Sequence, residues 1–303
     1  MALARGLLLH TDIAIAERTT HPSTAAGGQA LRVLDANRVT RGQRFSTHWA
    51  LSRQLADALA QEAATAPIAL RWYRAVGALY QQWADLGPLL AHLNAASDAL
   101  PDDPVLLVYR GALHQAHADA RIQAFIERLR APRDSSTNRV NDGLPIYEPA
   151  VELGTAERYL RRALALDASL SEARIRLAHV LEARGRADEA LPLARQALSS
   201  PLPGFLEYYG AMVLGRIEGR LGHAAEARAA FERAAARHPR SQATQVALSH
   251  AALADQRGAA AAAALVEGLG PGADAAEDPW SRYFRVHEPG ASERLEEFHR
   301  SVP

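Results

Sequence analysis

The sequence predicts an all-α fold: a right-handed superhelical solenoid of antiparallel helix pairs, with two long inter-helix loops. Three observations predict it. Alternating Val/Ile/Thr runs bounded by Asn-Gly or Asp-Gly are missing, while Ala/Leu/Arg/Glu stretches with helical spacing recur. A second register, far longer than the helical period, repeats along the chain. Glycines then fall after the candidate first helices at a matching interval, at Gly185, Gly222 and Gly258, as C-terminal helix caps would.

The N-terminal stretch MALARGLLLHTDIAIAE carries Arg5, His10 and Asp12 within its apolar run. A secretory signal wants that run uninterrupted, so the stretch predicts a mature amphipathic helix, Ala2 to Glu17. An irregular stretch from Arg18 to Arg44 follows, then a helix from Ser46 to Ala64. Residues 1–66 form a degenerate first pair on this reading, 67–269 the repeats, and 270–303 a linker and a C-terminal capping tail.

The long register is clearest in the second helices. The spacing Ala-x3-large-x2-small returns at Ala156, Leu160, Ala163; at Ala190, Ala194, Ala197; at Ala227, Phe231, Ala234; and at Ala261, Leu265, Gly268. The steps are 34, 37 and 34 residues, the longer one taking in the Ser199–Gly204 turn. First helices show Leu177-Ala178-x2-Leu181, Leu214-Gly215-x2-Glu218 and a poorer Leu248-Ser249-x2-Ala252. The small residue lets its partner helix approach, and the large ones fill the gap to the next unit. No unit buries its apolar face alone, so units must stack.

Upstream, Tyr73, Val76-Gly77 and Tyr80, then Leu89, Leu93, Ala96 and Pro101, sit at the offsets of one full unit. Another first helix opens at Leu107 and Gly111, with Asp103 as N-cap and Pro104 at the first helical position. Its second helix, Ala156 to Leu166, lies beyond a long excursion. That insertion, 131–153, and the Thr20–Phe45 stretch exceed the usual helix–helix connection. Each surrounds an Asn-Arg-Val triplet, Asn37-Arg38-Val39 and Asn138-Arg139-Val140. Spacer and binding loop are both open at this stage.

From about Arg71 to Leu269 the pattern resembles the tetratricopeptide-repeat (TPR) family, whose period is about 34 residues. It departs from the family at Ala168, where proline is common, and at the insertion. The tail Asp278-Pro279-Trp280-Ser281-Arg282-Tyr283 looks like that of bacterial TPR proteins with an Asp-Pro-Trp motif near a Tyr. The resemblance implies a scaffold that binds a protein or peptide on the concave face lined by first helices. Projected from the register, the outward positions there are Arg71, Arg74, Gln81, Gln115, Glu172, His179, Glu182, Tyr209, Arg216, Arg220 and His250. Arg216 and Arg220, one turn apart, suit a carboxylate, and Tyr209 a flat contact. Trp280, Tyr283 and Phe284 are expected to cap the last pair, ahead of a short helix from Ala291 to Arg300.

Composition narrows the function classes. The 34 basic and 34 acidic residues cancel, so there is no basic excess for nucleic acid or a membrane surface. Every basic residue is arginine. Arg161-Arg162 and Arg184/Arg186 stand beside Glu157, Glu182 and Asp188 and read as solvated charge pairs. There is no cysteine, which removes disulfides, thiolate nucleophiles and Cys-based metal sites. That absence is compatible with bacterial cytoplasm and periplasm alike. No Gly-x-Ser-x-Gly elbow occurs, and Gly27-Gly28 and Gly270-Pro271-Gly272 lack phosphate-loop spacing. The expectation is therefore no enzyme, no cofactor, no catalytic residue and no metal. The enzyme-like alternative is a small-molecule or metal pocket of His114 and His117, three apart on one helix, with the 131–153 loop.

Overall fold

The computed structural model describes residues 1–20, 47–83, 85–124, 147–254, 256–269, 278–283, 285 and 287–303. The described residues are helical, with no strand among them. They divide into two compact units. One comprises Met1–Glu148 and Arg285–Pro303, the other Pro149–Phe284.

In the first unit, α1 (Ala2–Thr20) packs on α2 (Thr47–Ala60), and α2 on α3 (Ala66–Gln82). Next come α4 (Leu86–Ala99) and α5 (Pro104–His117), each packed on its predecessor. The Asp103 cap expected from sequence is present: its carboxylate accepts from the Leu106 N–H at 3.0 Å, with Pro104 opening the helix. Gly77 on α3 lets Tyr109 of α5 close in, because a Cβ there would lie 2.9 Å from the Tyr109 ring. His92, Trp72, Tyr73 and Tyr80 form one buried aromatic cluster between α3 and α4.

The second unit runs α6 (Pro149–Leu166), α7 (Ser171–Ala183), α8 (Ala187–Ala197), α9 (Gly204–Arg220), α10 (Ala224–Arg237), α11 (Gln242–Ala254) and α12 (Gly258–Leu269). Each packs on the next, and the first helices α7 and α9 also touch. The repeat register is borne out in the core. Ala156, Leu160, Ala163, Ala190, Ala194, Ala197, Ala227, Phe231, Ala234 and Ala261 are all buried. Leu265 breaks the run at 37% exposed, beside Val266 at 73% and Leu253 at 58%. Helix α6 begins at Pro149, so the last five residues of the expected 131–153 loop are helical. The Asn-Arg-Val triplets lie outside the described residues.

The turn glycines are right twice and wrong once. Gly185 (φ 77°) and Gly222 (φ 81°) take the left-handed conformation expected of helix-ending glycine. Gly258 instead starts α12, and the left-handed position of that turn is Gln256, at φ 58°. The hydrogen bonds are the same at all three turns: Arg186 N–H to Leu181 O, His223 N–H to Glu218 O, and Arg257 N–H to Ala252 O. The register therefore puts a side chain where glycine is the cheap residue, at a cost of about 1–2 kcal/mol.

Gly215 is the tightest approach in the second unit. A Cβ at this position would lie within 2.6 Å of Phe231 Cδ1 and 2.8 Å of Cζ. Phe231, on α10, is itself buried, so its ring has little room to yield. Gly215→Leu is expected to destabilise this unit by about 1–3 kcal/mol through overpacking. The urea midpoint reads it, and Phe231→Ala in the same chain should recover part of the loss. A wild-type midpoint in Gly215→Leu would mean that α9 and α10 do not meet in this register.

Candidate peptide-binding faces

The second unit's candidates lie on α7, α9 and α11, and three of them, His179, Tyr209 and Arg216, meet the chain's own tail. Pro279–Arg282 form a single 3-10 turn. Asp278 opens it, its Oδ1 accepting from the Trp280 N–H at 2.9 Å. Its Oδ2 accepts from the Ser241 hydroxyl (3.1 Å) and the Ala243 N–H (3.0 Å) at the start of α11. A helix N-terminus presents free N–H groups and partial positive charge, so an anion is favoured there. The Tyr208 hydroxyl stands 2.9 Å from Ser241, and burial pushes the phenol up to about 12.

Tyr209 donates its hydroxyl to the Pro279 carbonyl. Burial, first, holds its pKa well above the ordinary phenol value, so it stays a donor at neutral pH. Trp280 and Tyr283 stack on each other with centroids 5.3 Å apart. Both rings pack against Tyr209 and His179. Arg216 reaches over the Trp280 ring at 5.9 Å. The anchor beneath is Arg176, which sequence reasoning missed. It is 1% exposed, bonds Glu172 at 2.7 Å, and donates to the Tyr283 carbonyl at 3.1 Å. Burial works against its charge, yet Glu172 alongside raises its pKa above the usual arginine value.

Glu182, expected as an outward groove position, is 1% exposed. Arg216 Nη2 bonds it at 3.1 Å, and Arg220 bonds it through Nε. Burial pushes this carboxyl up, but Arg216, then His179 and Arg220, hold it below the usual carboxylate range. Arg216 and Arg220 therefore neutralise a buried acid within the fold, and reversing their charge would crowd three carboxylates together. His250 is exposed on α11.

A parallel correction applies to the charge pairs read as solvated. Arg161 does meet Glu157 one turn away at 2.9 Å, but Arg184 and Arg186 reach the same carboxylate from 27 and 29 residues along. Glu157 is 8% exposed. Burial raises its pKa, and bonds to Arg161 and Arg186 more than reverse this.

In the first unit, Arg71 and Arg74 lie one turn apart on α3. Arg71 stands 3.6 Å from Glu297 of the C-terminal helix α13 (Ala291–Ser301), which packs on α3. Arg74 binds Asp103, Nε to Oδ1 at 3.1 Å. Gln81 and Gln115 are buried. The C-terminal segment is further held by Phe298, fully buried, by His287 against Tyr109 at 4.2 Å, and by His299 on Asp12 at 2.9 Å. Trp280 and Tyr283 thus lie on first helices of their unit, where the sequence places them over the last pair. Phe284 lies outside the described residues. His114 and His117 share the last turn of α5 with ring centroids 6.1 Å apart, and His117 stacks on Tyr147 at 3.8 Å.

These features define an all-α, TPR-like helical solenoid. No protein-family model matches the chain, and no curated protein sequence does. Among solved structures it is similar to Pseudomonas aeruginosa pilF at 14% identity and a TM-score of 0.50, covering 76% of this chain and 88% of that one. MamA of AMB-1 aligns at 16% identity over 65% of this chain and 96% of its own, with a TM-score of 0.44. The APC/C assembly Cut9–Hcn1 aligns at 17% over 84% and 48%, with a TM-score of 0.36. The pilF likeness is one of fold. Among the described residues no helix is long and apolar enough to cross a membrane.

Proposed function

We propose that the chain is a non-enzymatic scaffold that holds a segment of a partner protein on the first-helix faces of its helix pairs. The observation that carries this reading is the seat of Asp278–Tyr283: the face of α7, α9 and α11 already holds a peptide. Its donors meet main-chain carbonyls, from Tyr209 to Pro279 and from Arg176 to Tyr283, and its rings meet side chains. Main-chain bonds supply affinity and side-chain pockets supply specificity in peptide recognition generally. The charged groups of the face are engaged with one another, Glu172 with Arg176 and Glu182 with Arg216 and Arg220. That arrangement suits holding a ligand better than exchanging protons with one. Arg220 and His250 are exposed next to this seat in the register, and in the first unit Arg71 and Arg74 are the corresponding candidates, Gln81 and Gln115 being buried.

Site-resolved photocrosslinking in native extract tests the reading. A photoreactive residue at Arg220 or His250 should yield adducts with other polypeptides. The same residue at Ala236, exposed on the second helix α10, should not. Equal yields at all three positions, or none at the first two, would reject this placement.

A further inference from the structure

We propose that Asp278–Tyr283 is an internal stand-in, and that the α7/α9/α11 face selects partner segments of the same chemistry: an acidic residue, an indole two positions on, and a second aromatic three beyond that. This deepens the scaffold reading and rests on it. Each tail contact is one that another polypeptide can supply. The carboxylate is wanted at the start of α11 by the Ala243 N–H and the Ser241 hydroxyl, which a neutral or basic residue would leave unmatched. The carbonyl two residues before Ser281 and the carbonyl of the second aromatic are wanted by Tyr209 and Arg176. The two rings stack as a pair between His179, Tyr209, Arg176 and Arg216.

Two features mark the seat as a recognition site that the tail fills. Arg176 is nearly fully buried and Glu172 compensates its charge, yet one of its N–H groups is spent on a tail carbonyl. The middle of the occupant is also less buried than its seat, while Asp278 and Tyr283 at its ends are buried. Pro279, Trp280, Ser281 and Arg282 are all partly exposed, while Tyr209 and Arg176 beneath are 1% exposed each. A short segment with a partly exposed middle has fewer buried contacts to break than the helices beneath it. Because it is tethered, it competes at an effective concentration on the order of mM. The tail thereby sets the threshold that a partner segment must exceed.

The probe is a fluorescent peptide with the sequence of residues 277–285, titrated against the full chain by anisotropy. It should bind wild type at least about tenfold more weakly than the Trp280→Ala/Tyr283→Ala chain, whose own tail no longer competes. A peptide with Asn for Asp278 and Ala for Trp280 should not bind either protein. Should the double variant fail to fold by circular dichroism, Asp278→Ala, which removes only the carboxylate, is expected to show the same direction. Equal affinity for wild type and variant, or no binding by a folded variant, would overturn the proposal. Crosslinked adducts at Arg220 and His250 would then leave the scaffold reading standing, and their absence would remove both. A wild-type dimer that becomes monomeric in the double variant, by light scattering, would name a second copy's tail as the occupant and overturn it as well.

Discussion

Arg176→Met is expected to destabilise the second unit by about 3–5 kcal/mol, among the largest effects a single substitution in this chain should have. The guanidinium is 1% exposed and lies 2.7 Å from Glu172, whose residue is 8% exposed. Methionine fills much of the same volume, so the loss is electrostatic rather than steric. It leaves the Glu172 carboxylate in a poorly solvated place without its cation, and it removes the donor to the Tyr283 carbonyl. Removing both charges tests the attribution. Glu172→Leu with Arg176→Met should recover at least about 2 kcal/mol of the single-variant loss, because an apolar pair takes the place of a buried ion pair at little net cost. Urea unfolding of the four chains closes the double-mutant cycle. Additive losses would mean that Glu172 and Arg176 do not depend on each other. The tail should respond too: Arg176→Met is expected to expose Trp280, the only tryptophan in this unit, to a soluble quencher.

How much of this was legible in the sequence depends on how far along the chain each contact reaches. The repeat register is local, a matter of Ala, Leu and Gly spacing within about 34 residues, and it placed the core of the second unit correctly. It faded at Leu265, where the stack ends in the second unit and a large apolar residue of the register stays exposed. Charge pairing followed the same rule. Arg161 to Glu157 is a single helical turn and was visible, while Arg184 and Arg186 reach Glu157 from the next pair and were not. The glycine rule misplaced the third turn because it looks for a residue type, whereas the turn geometry follows the period and falls on Gln256.

The tail was visible as a motif, but its seat was not. Asp278 finds Ser241 at 37 residues' separation, Pro279 finds Tyr209 at 70, and Tyr283 finds Arg176 at 107. Arg176 itself was not singled out, because Glu172 one turn before it was projected as an outward groove position, whereas its carboxylate accepts from Arg176 at 2.7 Å. The first-helix positions projected from the register did fall on the helices expected. What the projection lacked was the knowledge that Gln81, Gln115, Glu172, Glu182 and Tyr209 are buried, and that Arg216 and Arg220 turn to Glu182.

The second large effect is one of pH and belongs to the first unit. His92 is 5% exposed, ringed by Trp72, Tyr73 and Tyr80, and its Nε2–H donates to the Tyr73 carbonyl at 2.9 Å. Burial lowers its pKa to about 4, with the positive charge of Arg53 on α2 acting in the same direction. In the unfolded chain the same imidazole titrates near pH 6.5. The folded-state pKa is the depressed one, so the contribution is fully present above about pH 6.5. As pH falls from there, the unfolded chain takes up a proton that the folded chain refuses until about pH 4. Stability should drop by about 1.4 kcal/mol per pH unit across that window, approaching roughly 3 kcal/mol in all. His92→Gln keeps a donor for Tyr73 and has no proton to gain, so it should flatten the slope. Amide exchange in α3 and α4, followed between pH 7 and 4 and corrected for intrinsic rates, reads this unit by itself. Glu157, Glu182 and Glu207 belong to the other unit, and with their pKa values held low they act further down the scale. A wild-type slope retained in His92→Gln would place the acid sensitivity of α3 and α4 elsewhere than in this ring.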